Sequence, residues 1–222
     1  MIDQLGARDP NPSFLLTVSE TLQQAGYVVD YVPAEQVTVD FFRELATRGY
    51  DLLLLRVHSA LTGTGQSATD DASLYTNEPY SETKYLYEQV EKRLSIVSYY
   101  EGGPEYFGIT PQFVRSSMMG KFDGAVVIVM GCDALKSEAL AEAWVGRGAS
   151  GFVSWNGPVS GSHSDLGAER LLQHLLAGRL SVGEAVAETM AEVGPDPAYG
   201  SSLLFYPPES VADGPKEAYL AR

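Results

Sequence analysis

Two apolar runs of the chain fall within Asp51–Val57 (DLLLLRV) and Ala125–Met130 (AVVIVM). Runs of this kind predict strands covered on both faces, as in a parallel sheet. Between and around them the spacing changes to the three-to-four period of amphipathic helices. Asn11-Pro12 opens a predicted helix over Ser13–Ala25, with Phe14, Leu15, Val18 and Leu22 as its stripe and Gly26 at its end. Tyr27–Val32 reads as a strand. Thr38 caps a short helix carrying Phe41, Phe42 and Leu45, closed by Gly49. Ser137–Arg147 reads as a helix, Gly151–Trp155 as a strand and Leu166–Ala177 as a helix. Ser181 caps a further helix through Val193, with Glu184 set for a capping box. Leu203–Tyr206 is a last strand, stopped by Pro207-Pro208.

Strands alternating with helices predict a three-layer α/β/α sandwich around a mainly parallel sheet, in one domain over 1–222. The Tyr-rich and Gly-rich segment 59–124 interrupts this rhythm as an insertion. Within it Leu94–Tyr100 and Glu105–Ile109 flank Glu101-Gly102-Gly103, a predicted hairpin. A helix comes before any full strand, so the first strand is expected to be a truncated stub at Met1-Ile2-Asp3.

Charge and composition narrow the functions. Fifteen basic against 29 acidic residues give a net charge of -14. Residues 1–111 hold 7 basic and 16 acidic side chains, and the rest hold 8 and 13. Both halves are acidic, which argues against nucleic acid or an anionic membrane as partner and leaves a cationic substrate plausible. One cysteine, Cys132, excludes an internal disulfide and multi-cysteine metal sites. His58, His163 and His174 lack metal-ligand spacing, so no metal and no cofactor is expected. No apolar run reaches the ~18 residues of a membrane span, and the first twenty residues do not read as a signal peptide. The chain as given reads as soluble and cytoplasmic, with an upstream targeting segment left open and the oligomeric state open too.

Candidate chemistry gathers at the carboxyl ends of the two apolar strands. His58 follows the first, and Cys132 follows the second after Gly131. If those strands are neighbours their ends lie ~4.8 Å apart. A histidine beside a thiol supplies the base that a nucleophilic cysteine needs. Backbone N–H groups near Gly131–Cys132 and His58–Ser59 are the expected oxyanion donors. A buried small thiol and a capping histidine are the competing structural explanation. Gly63-Thr64-Gly65 is too short for a dinucleotide fingerprint, and no GxSxG elbow is present. Arg56, if buried, needs an acidic partner. His163 with Asp165 could join the site or form a polar loop before a helix, and His174 reads as structural.

LLLLRVHSA, AVVIVMGCDAL, GRGASGFVSWNGPVSGSHSD and LLQHLLAGRLSVGEAV together resemble the caspase-like (clan CD) cysteine peptidases, with separases and CHAT-domain peptidases closest in pattern. The resemblance runs from about Tyr27 to Val193. It implies a cysteine endopeptidase with His58 as base or general acid and Cys132 as nucleophile. The Cys132 amide and the backbone after His58, at Ser59, are the implied oxyanion donors. Ser59 stands where the family has glycine, and Asp133-Ala134 replaces its usual small pair after the cysteine. Clan members that cleave after basic residues carry an acid two before the cysteine, where this chain has Met130. Separase-like members use an aspartate in the loop after the Trp-ended strand, so Asp165, with Asp133 second and Trp155 beside them, is the implied substrate-binding set for Lys or Arg. The peptide or protein substrate is the expected partner. A catalytically inactive caspase-fold interaction module is the alternative, and a flavodoxin-like domain binding through the glycines of 62–66 is a third reading.

Overall fold

The computed structural model describes residues 1–61, 71–177 and 180–207. In chain order its elements begin with β1 (Ile2–Asp3), α1 (Pro12–Gln24), α2 (Val39–Glu44), β2 (Leu52–Arg56) and β3 (Ser59–Leu61). There follow β4 (Ala72–Pro79), α3 (Leu86–Val90), β5 (Leu94–Ser98), β6 (Glu105–Ile109) and α4 (Pro111–Ser116). The chain closes with β7 (Val126–Val129), α5 (Ala139–Gly146), β8 (Gly151–Trp155), α6 (Gly161–Ala177), α7 (Val182–Val193) and β9 (Leu203–Tyr206).

The main sheet has the order β1-β2-β7-β8-β9. All its pairings are parallel except β8 with β9. The two apolar runs are its central neighbours, paired from Leu52↔Val126 to Leu55↔Val129. Their side chains alternate between two cores. Leu53, Leu55, Val57, Val127 and Val129 face Phe41, Phe42, Phe113, Val114, Leu140 and Trp144 of α2, α4 and α5. Leu54, Val126, Ile128 and Met130 face Phe14 and Val18 of α1, Leu171 and Leu172 of α6, and Val186 of α7. Both faces are covered, so the two strands are apolar apart from Arg56 at the end of β2, and the fold is the expected α/β sandwich. Each fully buried Leu or Phe contributes about 1.5–3 kcal/mol of transfer free energy.

Several helix ends follow their sequence signals. Asn11 accepts from the Phe14 N–H and Thr38 from the Phe41 N–H. Ser181 and Glu184 form a complete capping box. The insertion is larger than a hairpin: β3, β4, β6 and β5 form a second, antiparallel sheet in that order. Ala72, Leu74, Leu94, Phe107 and Ile109 from it join the core that contains Leu53 and Val127.

Two expected boundaries change. Tyr27–Val32 is not a strand; only Val32 forms a parallel bridge, to Ile2. The short β1 leaves little to pair with, and Val28 is 97% exposed, so the β-branched residues there find no second face. Helix α6 begins at Gly161 rather than Leu166. In its polar first turns Asp165 is buried against Arg56 and Asn11 rather than solvated. Gly63-Thr64-Gly65 lies outside the described residues. Among the described residues no helix is long and apolar enough to cross a membrane.

Candidate active site

The ends of β2 and β7 are locked together by a glycine. A Cβ on Gly131 would overlap Ser59 Oγ and lie 2.7 Å from the Val57 carbonyl oxygen. Only glycine lets the two backbones approach this closely. Ser59 Oγ then donates to the Cys132 carbonyl at 2.5 Å. His58 and Cys132 are thereby placed at adjacent carboxyl ends of one parallel sheet.

Cys132 sits in a turn bolted to the segment after β8. Asp133 adopts a left-handed φ of 58°, and its N–H donates to Gly157 O at 3.0 Å. The Leu135 N–H donates to Trp155 O at 3.0 Å. The thiol is half-buried and meets Val159 twice: the Val159 N–H donates to Sγ at 3.4 Å, and Sγ lies 3.6 Å from Val159 O. Burial pushes the thiol pKa up, the Val159 N–H opposes this, and Asp133 and Asp196 add to the rise. The resting group is therefore a thiol.

Asp196 fixes the segment that holds that thiol. Its carboxylate accepts from the Ser160 N–H (2.9 Å), Ser160 Oγ (2.7 Å) and the Ala198 and Tyr199 N–H groups (both 2.9 Å). Ser201 Oγ also donates to Pro158 O. Asp196 is 1% exposed, and its hydrogen bonds outweigh burial and hold its pKa at about 2, against 3.8 for a free aspartate. A folded-state value below the unfolded one stabilises the fold above pH ~4, and this stabilisation is lost as pH falls toward 2. Asp196→Ala is expected to cost about 2 kcal/mol at pH 7 and to remove that acid-dependent loss, checked by urea titrations at pH 7 and pH 3. An unchanged pH dependence would contradict the assignment.

His58 lies where the chain leaves one sheet for the other. Its N–H donates to Gln4 Oε1 at 2.9 Å, and its carbonyl accepts from the Tyr75 N–H at 2.9 Å. The ring meets the edge of Tyr75 (centroids 4.6 Å, 89°) and stacks on Tyr99 (5.2 Å, 29°). Burial first, and then the Arg8 cation, lower its pKa from 6.5, so the imidazole is neutral at pH 7. Tyr75 lies between the two candidates in its couplings: burial, Tyr99 and Cys132 raise its phenol to about 12. Among the described residues no hydrogen bond joins the His58 ring to the thiol.

The oxyanion expectation narrows. Ser59 is 1% exposed, so its buried backbone is withdrawn from a substrate, and its contribution is the hydroxyl that locks Cys132. The Cys132 N–H donates to no main-chain carbonyl among the described residues.

Two expected substrate contacts are corrected. Asp165 is not in a loop; it lies in α6, is 6% exposed, and both its oxygens are taken. Arg56 donates to them through Nε (2.8 Å) and Nη2 (3.1 Å), and Asn11 Nδ2 adds a bond at 2.9 Å. It is the partner the buried Arg56 needs. Trp155 is fully buried in the core between α6 and α7, with Gly167 against its ring. Asp133 remains half-exposed beside the thiol, and burial raises its pKa against the opposing Lys136. Met130 is a core residue. His163 packs on Trp155 and its Nε2 lies 3.1 Å from Gly194 O, while His174 pairs with Glu192 on the surface of α6 and α7.

Among the described residues no group of three or more His, Cys, Asp or Glu side chains is arranged to hold a metal ion. No protein-family model matches the chain, and no curated protein matches it.

Proposed function

We propose that the protein is a cysteine endopeptidase acting through His58 and Cys132. The observation that carries this reading is the parallel pairing of β2 with β7, tightened at its end by Gly131 and the Ser59–Cys132 bond. It sets a half-buried thiol and a neutral imidazole at neighbouring strand ends.

Both groups start uncharged. His58 takes the thiol proton as Sγ attacks the peptide carbonyl carbon, and the carbonyl oxygen becomes an oxyanion held by the Cys132 N–H. The C–N bond breaks as the imidazolium returns its proton to the leaving amine, leaving a thioester. Water then attacks that thioester with His58 taking its proton. The C–S bond breaks, and the proton goes to the departing sulfur. The thiol must exchange its contacts with Val159 for the approach to His58. With Asp165 held by Arg56, Asp133 is the acidic side chain left beside the nucleophile for a basic substrate residue.

The thiol's engagement with Val159 favours a second reading, a catalytically silent caspase-fold interaction module. Intact-mass labelling separates the two, because Cys132 is the sole cysteine. The native protein is treated with peptidyl chloromethyl ketones that end in Arg, Leu or Asp, with iodoacetamide on native and urea-unfolded protein as controls. The peptidase reading expects one adduct that outpaces iodoacetamide and is absent in Cys132→Ala. Labelling only after unfolding would establish the silent module.

A further inference from the structure

The histidine's surroundings contain a polar side chain with a specific role. Gln4 follows the two-residue β1 and is 0% exposed. β1 pairs with β2 only as far as Asp3↔Arg56. The chain then turns into a 3-10 helix over Gln4–Ala7, so no main-chain carbonyl of a longer β1 accompanies the end of β2. The Gln4 side chain supplies the missing acceptor to the His58 N–H. The orientation of this amide is forced, since a backbone N–H can only donate. Both hydrogens of Gln4 Nε2 are then used, on Asn77 Oδ1 (2.9 Å) and the Tyr99 hydroxyl (2.5 Å). Asn77 Nδ2 in turn donates to Gln4 O (2.8 Å) and Ala34 O (3.0 Å).

One amide therefore grips His58 twice, through its backbone and through the ring that stacks on its imidazole. Tyr99 is itself held from several sides. The Arg8 guanidinium lies 3.9 Å from its centroid, and Tyr75 and Tyr106 meet it edge-on at 5.2 Å and 5.8 Å. We propose that Gln4 and Tyr99 are positioning residues that hold the His58 imidazole in its one working orientation. This rests on the peptidase reading for its purpose, but the clamp itself is a property of His58 alone. A ring off its line of proton transfer by about 1 Å loses up to ~10²-fold in rate. A buried polar network earns its place when every member is satisfied, and Gln4 and Asn77 leave no amide hydrogen unused.

The groups facing the ring are Tyr75 of β4, Tyr99 after β5, Arg8 after β1 and, through Tyr75, Cys132 after β7. Of these only Arg8 is charged at neutral pH. The stack excludes water from one side of the imidazole, so opening it lets the ring take a proton more readily.

The test uses Tyr99→Phe, Tyr99→Leu and Gln4→Leu in the full chain, with the Tm of each recorded. His58 is titrated by proton–carbon NMR of its ring, and Cys132 inactivation by the best peptidyl chloromethyl ketone is followed. Tyr99→Phe keeps the stack and loses the bond from Gln4; Tyr99→Leu loses both. The expected order of His58 pKa is wild type, then Tyr99→Phe, then Tyr99→Leu nearest 6.5. The inactivation rate should fall in the same order, by about tenfold or more for Tyr99→Leu. A folded Tyr99→Leu with an unchanged His58 titration overturns the clamp, whatever Gln4→Leu does to folding. A shifted titration with an unchanged rate at Cys132 overturns the positioning role. A shifted titration in a protein that no peptidyl electrophile labels keeps the clamp and refutes the peptidase reading instead.

Discussion

Arg56→Met should unfold about 3–5 kcal/mol more easily than the wild type, because it strands two buried carboxylates. Arg56 is 1% exposed on the strand that leads to His58. Its guanidinium reaches Asp3 Oδ1 at 3.1 Å, Asp165 Oδ1 at 2.8 Å and Asp9 through the carbonyl (2.8 Å) and Oδ2 (3.2 Å). Asp3 and Asp165 are nearly as buried as the arginine, whereas the Asp9 side chain is 64% exposed and adds little. One cation thus joins β1, the turn before α1 and the second turn of α6 beneath the candidate site. At ~2–4 °C per kcal/mol for a chain of this size, the melting temperature should drop by roughly 10 °C or more. Lysine cannot replace it, since one ammonium cannot present a planar fork to Asp165 and still reach Asp3. Adding Asp3→Asn and Asp165→Asn to Arg56→Met should recover much of the loss, because removing a whole buried network costs less than breaking it. Denaturant titrations of the single and triple variants measure both effects. A loss under about 1 kcal/mol in the single variant would show that the cluster is solvated and weak.

His58→Ala should lower the rate of peptide hydrolysis, or of Cys132 inactivation, by about 10²–10⁴-fold while leaving the fold intact. The fold should survive because Gln4 bonds the His58 backbone, which alanine retains. The pH dependence makes the prediction specific. Only neutral imidazole can accept the thiol proton, so the wild-type rate should rise with pH through the His58 pKa, at a midpoint below 6.5. In His58→Ala that limb should vanish. The residual rate should instead climb through the raised thiol pKa, above its ordinary value of 9.0. A variant that keeps the acid limb would mean that another group supplies the base.

The parts of the fold that were legible in the sequence are those where one residue type meets one physical demand. Unbroken apolar runs needed cover on both faces, which made β2 and β7 readable as central strands. Ser181 with Glu184, and Thr38 before Phe41, state their helix starts locally. Tyr27–Val32 misled because its β-branched residues carry strand propensity, while its pairing depended on how much of β1 exists to receive it. The start of α6 was hidden because SGSHSD looks solvated until Arg56 and Asn11, far away in sequence, are seen to occupy Asp165. At the site, Gly131 and Cys132 were adjacent letters and easy to weigh. The role of Gln4 was not, since its partners Asn77 and Tyr99 lie 73 and 95 positions away. A lone buried glutamine leaves no periodic signal.

The second sheet lies in sequence between the two strands that bring His58 and Cys132 together. β2 ends at Arg56 and β7 begins at Val126, so their pairing closes a loop of roughly 70 residues. Doubling such a loop adds only ~0.6 kcal/mol of closure entropy, but non-local parallel pairing is slow compared with a hairpin. The β5–β6 hairpin, whose β5 end leads directly into Tyr99, closes over a few residues. During synthesis His58 and the aromatic wall around it leave the ribosome first, and Cys132 follows with β7. Cys132 therefore reaches His58 only through the long closure, and until then the growing chain carries no assembled pair.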